Sequence, residues 1–282
     1  MKVASHWKEL KNNYLNCELC PHYCVIAPGD LGKCKVRKNI DGILYTLNYE
    51  KVVSYAIDPI EKKPLSNFMP DSMISSIGTY GCNLVCDFCQ NYQLVNFNSE
   101  VASTSSMSIL DMVLRDRSVG LAYTYNEPTI WYEYVLETAR LIKDYKLINV
   151  LVTNGYINEI PFKELAPYID AMNVDFKFFK PIDYKNICAA SPEPVINTIS
   201  LADSLGIHVE ITTLLISGLN TSEEDINGLV DMVAEINPSI PLHLSRYFPA
   251  YKRVDPPTDM NDLYRAYGIA KQKLEHVYLG NV

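Results

Sequence analysis

Three cysteines set the strongest constraint on what this chain can fold around. Cys82, Cys86 and Cys89 follow the pattern Cys-x3-Cys-x2-Cys. The short run Met73 to Ile77 ahead of them reads as a strand, which puts the thiols on the loop leaving it. A cubane 4Fe-4S cluster usually takes one thiolate per iron, and three close thiolates with no fourth nearby leave one iron open to bind and reduce a ligand. The bacterial ferredoxin run, with two residues between each of its first three cysteines, is spaced differently. Gly81 frees the backbone before the first cysteine, and aromatic Phe88 precedes the last. The alternatives on these residues alone are a zinc knot with a distant fourth ligand, or three cysteines buried as small apolar side chains.

Four more cysteines, Cys17, Cys20, Cys24 and Cys34, fall within residues 1–45, with turn-forming Pro28-Gly29-Asp30-Leu31-Gly32 between them. Four thiolates satisfy either structural zinc or an auxiliary 4Fe-4S cluster, and only the first pair has the zinc-knuckle spacing, so both readings stand. His22, in Pro-His-Tyr, reads as an exposed loop residue. Residues 46–72 read as a hairpin and linker, in which Ile43–Tyr49 pairs with Val52–Ile57. The string Asp58-Pro59-Ile60-Glu61-Lys62-Lys63-Pro64-Leu65 then breaks the strand pattern with two prolines and reads most simply as a solvated turn with an ion pair.

From Met73 onward strands alternate with helices. The pattern predicts strands at Met73–Ile77, Gly120–Tyr125, Asn149–Thr153, Ala171–Phe176, His208–Leu215 and Pro241–Tyr247. Helices are expected at Ile130–Tyr145, Phe162–Tyr168, Pro194–Leu205 and Glu223–Ile236. Such alternation gives a parallel sheet with helical crossovers. Residues two apart on a strand share a face, so Asn173, Asp175 and Lys177 lie together, as do His208, Glu210 and Thr212, and His243, Ser245 and Tyr247. Polar faces on several parallel strands suggest a wet lumen that holds a polar ligand; an open sheet with that face in water is the alternative.

The net charge of −8 argues against nucleic-acid phosphate as the main partner, which needs clustered Lys and Arg. No apolar run reaches the length of a membrane span, and the N-terminus lacks a signal-peptide core, so the expected location is the cytoplasm. Eight clustered cysteines in that compartment read as metal ligands rather than disulfides.

Taken together, Gly81 to Asn91 and the strings Cys17-Glu18-Leu19-Cys20-Pro21-His22, Asp58 to Leu65, Thr124-Tyr125-Asn126-Glu127-Pro128-Thr129, Val152-Thr153-Asn154-Gly155-Tyr156 and Leu242 to Tyr251 resemble the radical SAM family. The chain is similar to pyruvate formate-lyase (glycyl radical enzyme) activating enzymes and, more narrowly, resembles the AmmeMemoRadiSam type. The resemblance implies a partial (β/α)6 TIM-like barrel over residues 73–282, with a 4Fe-4S cluster on Cys82, Cys86 and Cys89. S-adenosylmethionine on the open iron would be cleaved reductively to a 5′-deoxyadenosyl radical that abstracts hydrogen.

It also assigns binding residues. Glu127, after Asn126, matches the acid that holds the SAM amino group, although the usual preceding glycines are missing; a helix N-terminal Glu is the other reading. Thr153 and Asn154 match an Asp-Thr-Asn-Gly string without its Asp, which puts a cation site in doubt. Asp175 and Lys177 match a string in which the lysine neutralises a carboxylate, Phe88 and Gln90 lie against adenine and methionine, and Arg246 meets a ribose or substrate anion or makes an outward salt bridge. Relatives often continue into a further cysteine pair absent here, which favours a self-sufficient site on Cys17, Cys20, Cys24 and Cys34. Cys188 reads as a buried small residue or a substrate-radical partner.

The implied activity is hydrogen abstraction from a glycine of a partner glycyl radical enzyme, with a flavodoxin- or ferredoxin-type electron donor. Radical modification of a small molecule or another protein residue is the second reading, and a non-enzymatic iron-sulfur electron carrier the third.

Overall fold

The computed structural model describes Met1 to Val282. Its first part holds six short strands, β1 (Lys2–Val3), β2 (Trp7–Glu9), β3 (Leu15–Cys17), β4 (Val25–Ile26), β5 (Arg37–Ile40) and β6 (Ile43–Thr46). They form two antiparallel sheets, β1-β6-β5 and β2-β3-β4. Asp41 and Gly42, with φ of 50° and 81°, make the tight turn between β5 and β6, a conformation that an Asp-Gly pair favours.

The main sheet begins with β7 (Ser54–Pro59) and β8 (Met73–Gly78), followed by the cysteine loop, α1 (Tyr92–Val95) and α2 (Ser106–Arg115). Then come β9 (Gly120–Tyr123), α3 (Tyr132–Asp144), β10 (Ile148–Thr153), α4 (Glu159–Leu165) and β11 (Ala171–Asp175). The chain ends with α5 (Pro181–Cys188), α6 (Pro192–Ser204), β12 (His208–Leu215), α7 (Glu223–Ile236), β13 (Leu242–Arg246), α8 (Met260–Ala270) and β14 (Val277–Gly280). The strands stand in sequence order from β7 to β14; β8 to β14 are parallel and β7 is antiparallel on the edge. β7 and β14 do not pair with each other, so the barrel is partial.

Two expectations change. Ile43–Thr46 pairs with β1 and β5, whereas Ser54–Pro59 pairs with β8, so the two runs make no hairpin. The intervening stretch turns the second run onto the barrel edge. A seventh parallel strand, β14, and the helix before it extend the six-strand pattern. Asp259 caps that helix, accepting from the Asn261 amide, and Ser222 likewise caps α7.

The lumen is not wet throughout. At its N-terminal end Ile60 and Leu65 fill it, packed on Ile74, Ala122, Val150 and Ala171. Burying each of those two side chains stabilises by about 1.5–3 kcal/mol. The segment that carries them, the strap, runs under the barrel: Asn173 donates to the Pro64 carbonyl at 2.8 Å, Glu210 accepts from the amides of Ser66 and Asn67 at 2.9 and 2.7 Å, and Tyr278 donates to Asn67. Glu210 also pairs with His208 at 2.9 Å and His243 at 2.6 Å. The lower members of the polar faces therefore hold the strap, and only their upper members are left for a ligand.

Candidate active site

At the C-terminal ends of the strands one cavity of about 340 Å³ collects Cys82, Cys86, Cys89, Phe88 and Gln90 from the cysteine loop. Asn126 and Glu127 reach it from beyond β9, Thr153 and Asn154 from β10, and Asp175 and Lys177 from β11. Eleven of the twelve residues expected at this site line it; far apart in sequence, they come together because parallel strands end on one face of the barrel. Arg246 is the exception. It donates to the Thr258 carbonyl at 3.1 Å and stacks over Phe248 rather than lining the cavity. Its strand neighbours Leu242 and Leu244 are buried on the helix-facing side, and period 2 puts Arg246 on that side too.

Glu127 is 2% exposed. One oxygen accepts from the Thr129 amide at 2.9 Å and from the Thr153 hydroxyl at 2.7 Å, the other from the Asn154 amide at 2.7 Å. It thus caps the 3-10 turn that begins at Pro128 and also faces the cavity. A carboxylate offers about four lone-pair sites, so one is left for a ligand's ammonium. Burial raises the Glu127 pKa, with the three donors working against it. Thr153 and Asn154 spend their donors within the protein, Asn154 on the Asn83 side chain at 2.8 Å. Asn126 accepts from the Thr79 amide and donates to the Gly81 carbonyl at 3.1 Å. These residues shape the cysteine loop and the acid.

Lys177 pairs with Asp175 at 2.8 Å and lies 5.9 Å from the Phe88 ring. Burial disfavours its charge, but Asp175 and Cys86 outweigh that and hold its pKa above the ordinary value. Phe88 packs edge-on against Phe178, and Gln90 donates to the Phe248 carbonyl at 3.1 Å. Cys188, fully buried, sits with its sulfur 3.3 Å from that of Cys86, behind the loop and outside the cavity lining.

The strap supplies cavity residues that the sequence left without a role. Lys62, Lys63 and Pro64 line the cavity from below. Lys63 is 3% exposed, pairs with Asp58 at 2.9 Å and lies over the Tyr125 ring, whose hydroxyl donates to Asp58 at 3.3 Å. Desolvation lowers the Lys63 pKa despite that partner. Tyr125 itself has φ of 72°, a left-handed conformation that a bulky residue rarely adopts and that clusters at functional sites. The ion pair in this string is real, then, but its Lys63 end is buried in the cavity wall, while its Lys62 end stays exposed. On the other side, Arg253 grips Asp87 of the cysteine loop with two bonds of 3.0 and 2.8 Å.

The residues fit an iron-sulfur cluster with an amino-acid ligand: three thiols open onto the cavity, and an acid and an ammonium stand within the same walls.

The sequence profile of the radical SAM superfamily matches residues 76–233. The uncharacterized protein MJ0808 of Methanocaldococcus jannaschii is 40% identical over 288 residues, which cover 100% of this chain and 86% of that protein. The pyruvate formate-lyase-activating enzyme of Clostridium pasteurianum is 24% identical over 162 residues, 55% of this chain and 67% of its own. Among solved structures, Streptococcus suis SuiB bound to precursor peptide SuiA superposes with a TM-score of 0.57 at 18% identity, over 71% of this chain and 46% of that one, a likeness of fold. Because the superfamily match begins on β8 and runs through the cysteine loop to α7, it takes in the strands that carry most of the cavity, and the chain belongs to the radical SAM superfamily.

Proposed function

We propose that this chain is a radical SAM enzyme of the glycyl-radical-enzyme activating type, removing hydrogen from a backbone glycine of a partner protein. The narrower AmmeMemoRadiSam type belongs to the same proposal, as does an electron donor of flavodoxin or ferredoxin kind. The observation that carries the radical chemistry is the single cavity shared by Cys82, Cys86, Cys89, Glu127 and Lys177. Similarity to activating enzymes, 23% to 25% identical in the relatives so named, supports the protein substrate.

Cys82, Cys86 and Cys89 would hold a 4Fe-4S cluster with S-adenosylmethionine, which would supply the radical chemistry for hydrogen abstraction. The chain's own residues bind and orient. Glu127 would accept from the amino group, Lys177 would neutralise the carboxylate, and Phe88 and Gln90 would lie against the adenine and methionine. No side-chain base is required.

Anaerobic reconstitution followed by SAM and dithionite tests this, with 5′-deoxyadenosine followed by chromatography. Formation that vanishes in Cys86→Ala is the expected result. A reduced cluster whose paramagnetic spectrum ignores SAM leaves the electron carrier instead. Mixing with a glycyl radical enzyme is expected to yield a protein-borne glycyl radical. If deoxyadenosine forms but no such radical does, the second reading takes over: modification of a small molecule or another protein residue. The placement of Lys63 in the cavity wall favours that reading, because a buried ammonium suits an anionic ligand group.

A further inference from the structure

The four cysteines of the N-terminal sheets stand around a cavity of their own. Cys17 ends β3, Cys20 and Cys24 lie in the turn before β4, and Cys34 lies in the turn before β5. All four, with His22 and Arg37, line a space of about 10 Å³. That is room for roughly one water-sized sphere. The cysteine loop of the main cavity, by contrast, opens onto spaces of about 340 and 180 Å³. A cubane brings four irons and four sulfides, whereas zinc is a single ion held by four thiolates at about 2.3 Å.

One further observation points to a bound cation with thiolate ligands. Arg37, 1% exposed, donates to the Ser5 carbonyl and to Glu133, yet its Nε has no partner and the side chain lines this cavity. Four thiolates on a divalent ion leave a net charge of about −2; Arg37 is paired with Glu133, but its free Nε can still donate toward a thiolate. The sulfurs surround the space without three of them converging on one point, so binding a single ion requires side-chain rotation to bring them together.

We propose that Cys17, Cys20, Cys24 and Cys34 bind one zinc ion, and that this ion stiffens the cysteine loop of the radical site from behind. Two contacts carry the stiffening. His22 Nε2 donates to the Asn83 carbonyl at 2.7 Å, and Lys33 beside Nδ1 favours that tautomer. Gly81, with φ of 85°, lies so close that a Cβ there would sit 2.8 Å from the Cys34 carbonyl oxygen and 2.7 Å from Val36. The residues on both sides of Cys82 thus rest on the metal-binding turns.

The test is metal analysis of the full chain, as purified and after anaerobic reconstitution with iron and sulfide. About one zinc per chain is expected throughout, with about four irons added by reconstitution. Cys20→Ser loses the zinc and keeps about four irons. About eight irons in the parent chain, falling to about four in Cys20→Ser, would overturn zinc in favour of a second cluster. A parent chain with no metal beyond about four irons would overturn the site altogether. Should Cys20→Ser fail to fold, the parent counts still decide.

His22→Ala addresses the stiffening separately. It is expected to keep zinc while releasing iron to a chelator about tenfold faster, the scale on which loss of an outer support weakens metal binding. An unchanged release rate would sink the stiffening role. The zinc count does not depend on radical activity, so failure of either reading is distinguishable from failure of the other.

Discussion

Glu127 joins three elements through one carboxylate. Its oxygens hold the turn after β9 and the end of β10, and the lone pair that remains faces the cavity. Glu127→Gln keeps the shape but removes the charge and one acceptor oxygen. Deoxyadenosine formation is expected to fall at least about tenfold, equivalent to about 1.4 kcal/mol from one charge-assisted hydrogen bond. Because one buried donor is also left unpaired, a stability loss of about 1–3 kcal/mol should accompany it in denaturant titrations of the same sample. An unaltered deoxyadenosine yield would remove Glu127 from ligand binding and leave it as a cap. The sequence showed this acid but not its partners, since Thr153 and Asn154 come from the next strand. Arg246 shows the reverse: its motif was legible, and of its two readings strand parity selects the outward one, with the Thr258 carbonyl in place of a salt bridge.

Among the elements, the cysteine loop and the strap decide the site. The loop is held by Asn126 at its start, by Arg253 at Asp87 and by the N-terminal sheets at Gly81. Gly81→Ala forces an L-residue to φ of 85° and pushes its Cβ against Cys34 and Val36. The left-handed conformation costs about 1–2 kcal/mol and the overpacking about 1–3 more. Urea titration should show that loss together with a reduced iron content after reconstitution. Full iron loading at parent stability would show that the loop yields easily. The strap's role was hidden because its partners Asn173, Glu210 and Tyr278 stand 109 to 211 residues further along the chain. Its two prolines and charged residues, read locally, describe a turn.

At the scale of the whole molecule, Glu210 ties β12, β13 and the strap into one unit beneath the cavity. Burial disfavours its charge, but His208, His243 and two backbone amides hold its pKa down to about 2, against an ordinary value of 4.5. A pKa depressed by folding contributes stability that is fully present above the unfolded value and is lost as pH falls through about 2. The shift corresponds to about 3 kcal/mol. Thermal melts from pH 6 down to pH 2 should therefore fall steeply below about pH 4.5. In Glu210→Gln they should start lower and fall less. Parallel curves for the two proteins would show that other carboxylates govern acid unfolding.

Local chemistry was enough for part of this protein. Cysteine spacing and the alternation of strand and helix are written within short windows, because ligand geometry and backbone periodicity are short-range. They determined the candidate cluster loop and the parallel barrel. Tertiary structure alone decided which polar strand residues line the upper cavity and which hold the strap, since both sets share one face and differ only in height along the barrel. It alone showed that β7 belongs to the barrel edge, because pairing partners for an isolated strand are chosen by packing and not by its own residues. It also separated the two cysteine sets by the space around them, a property that no spacing of residues contains.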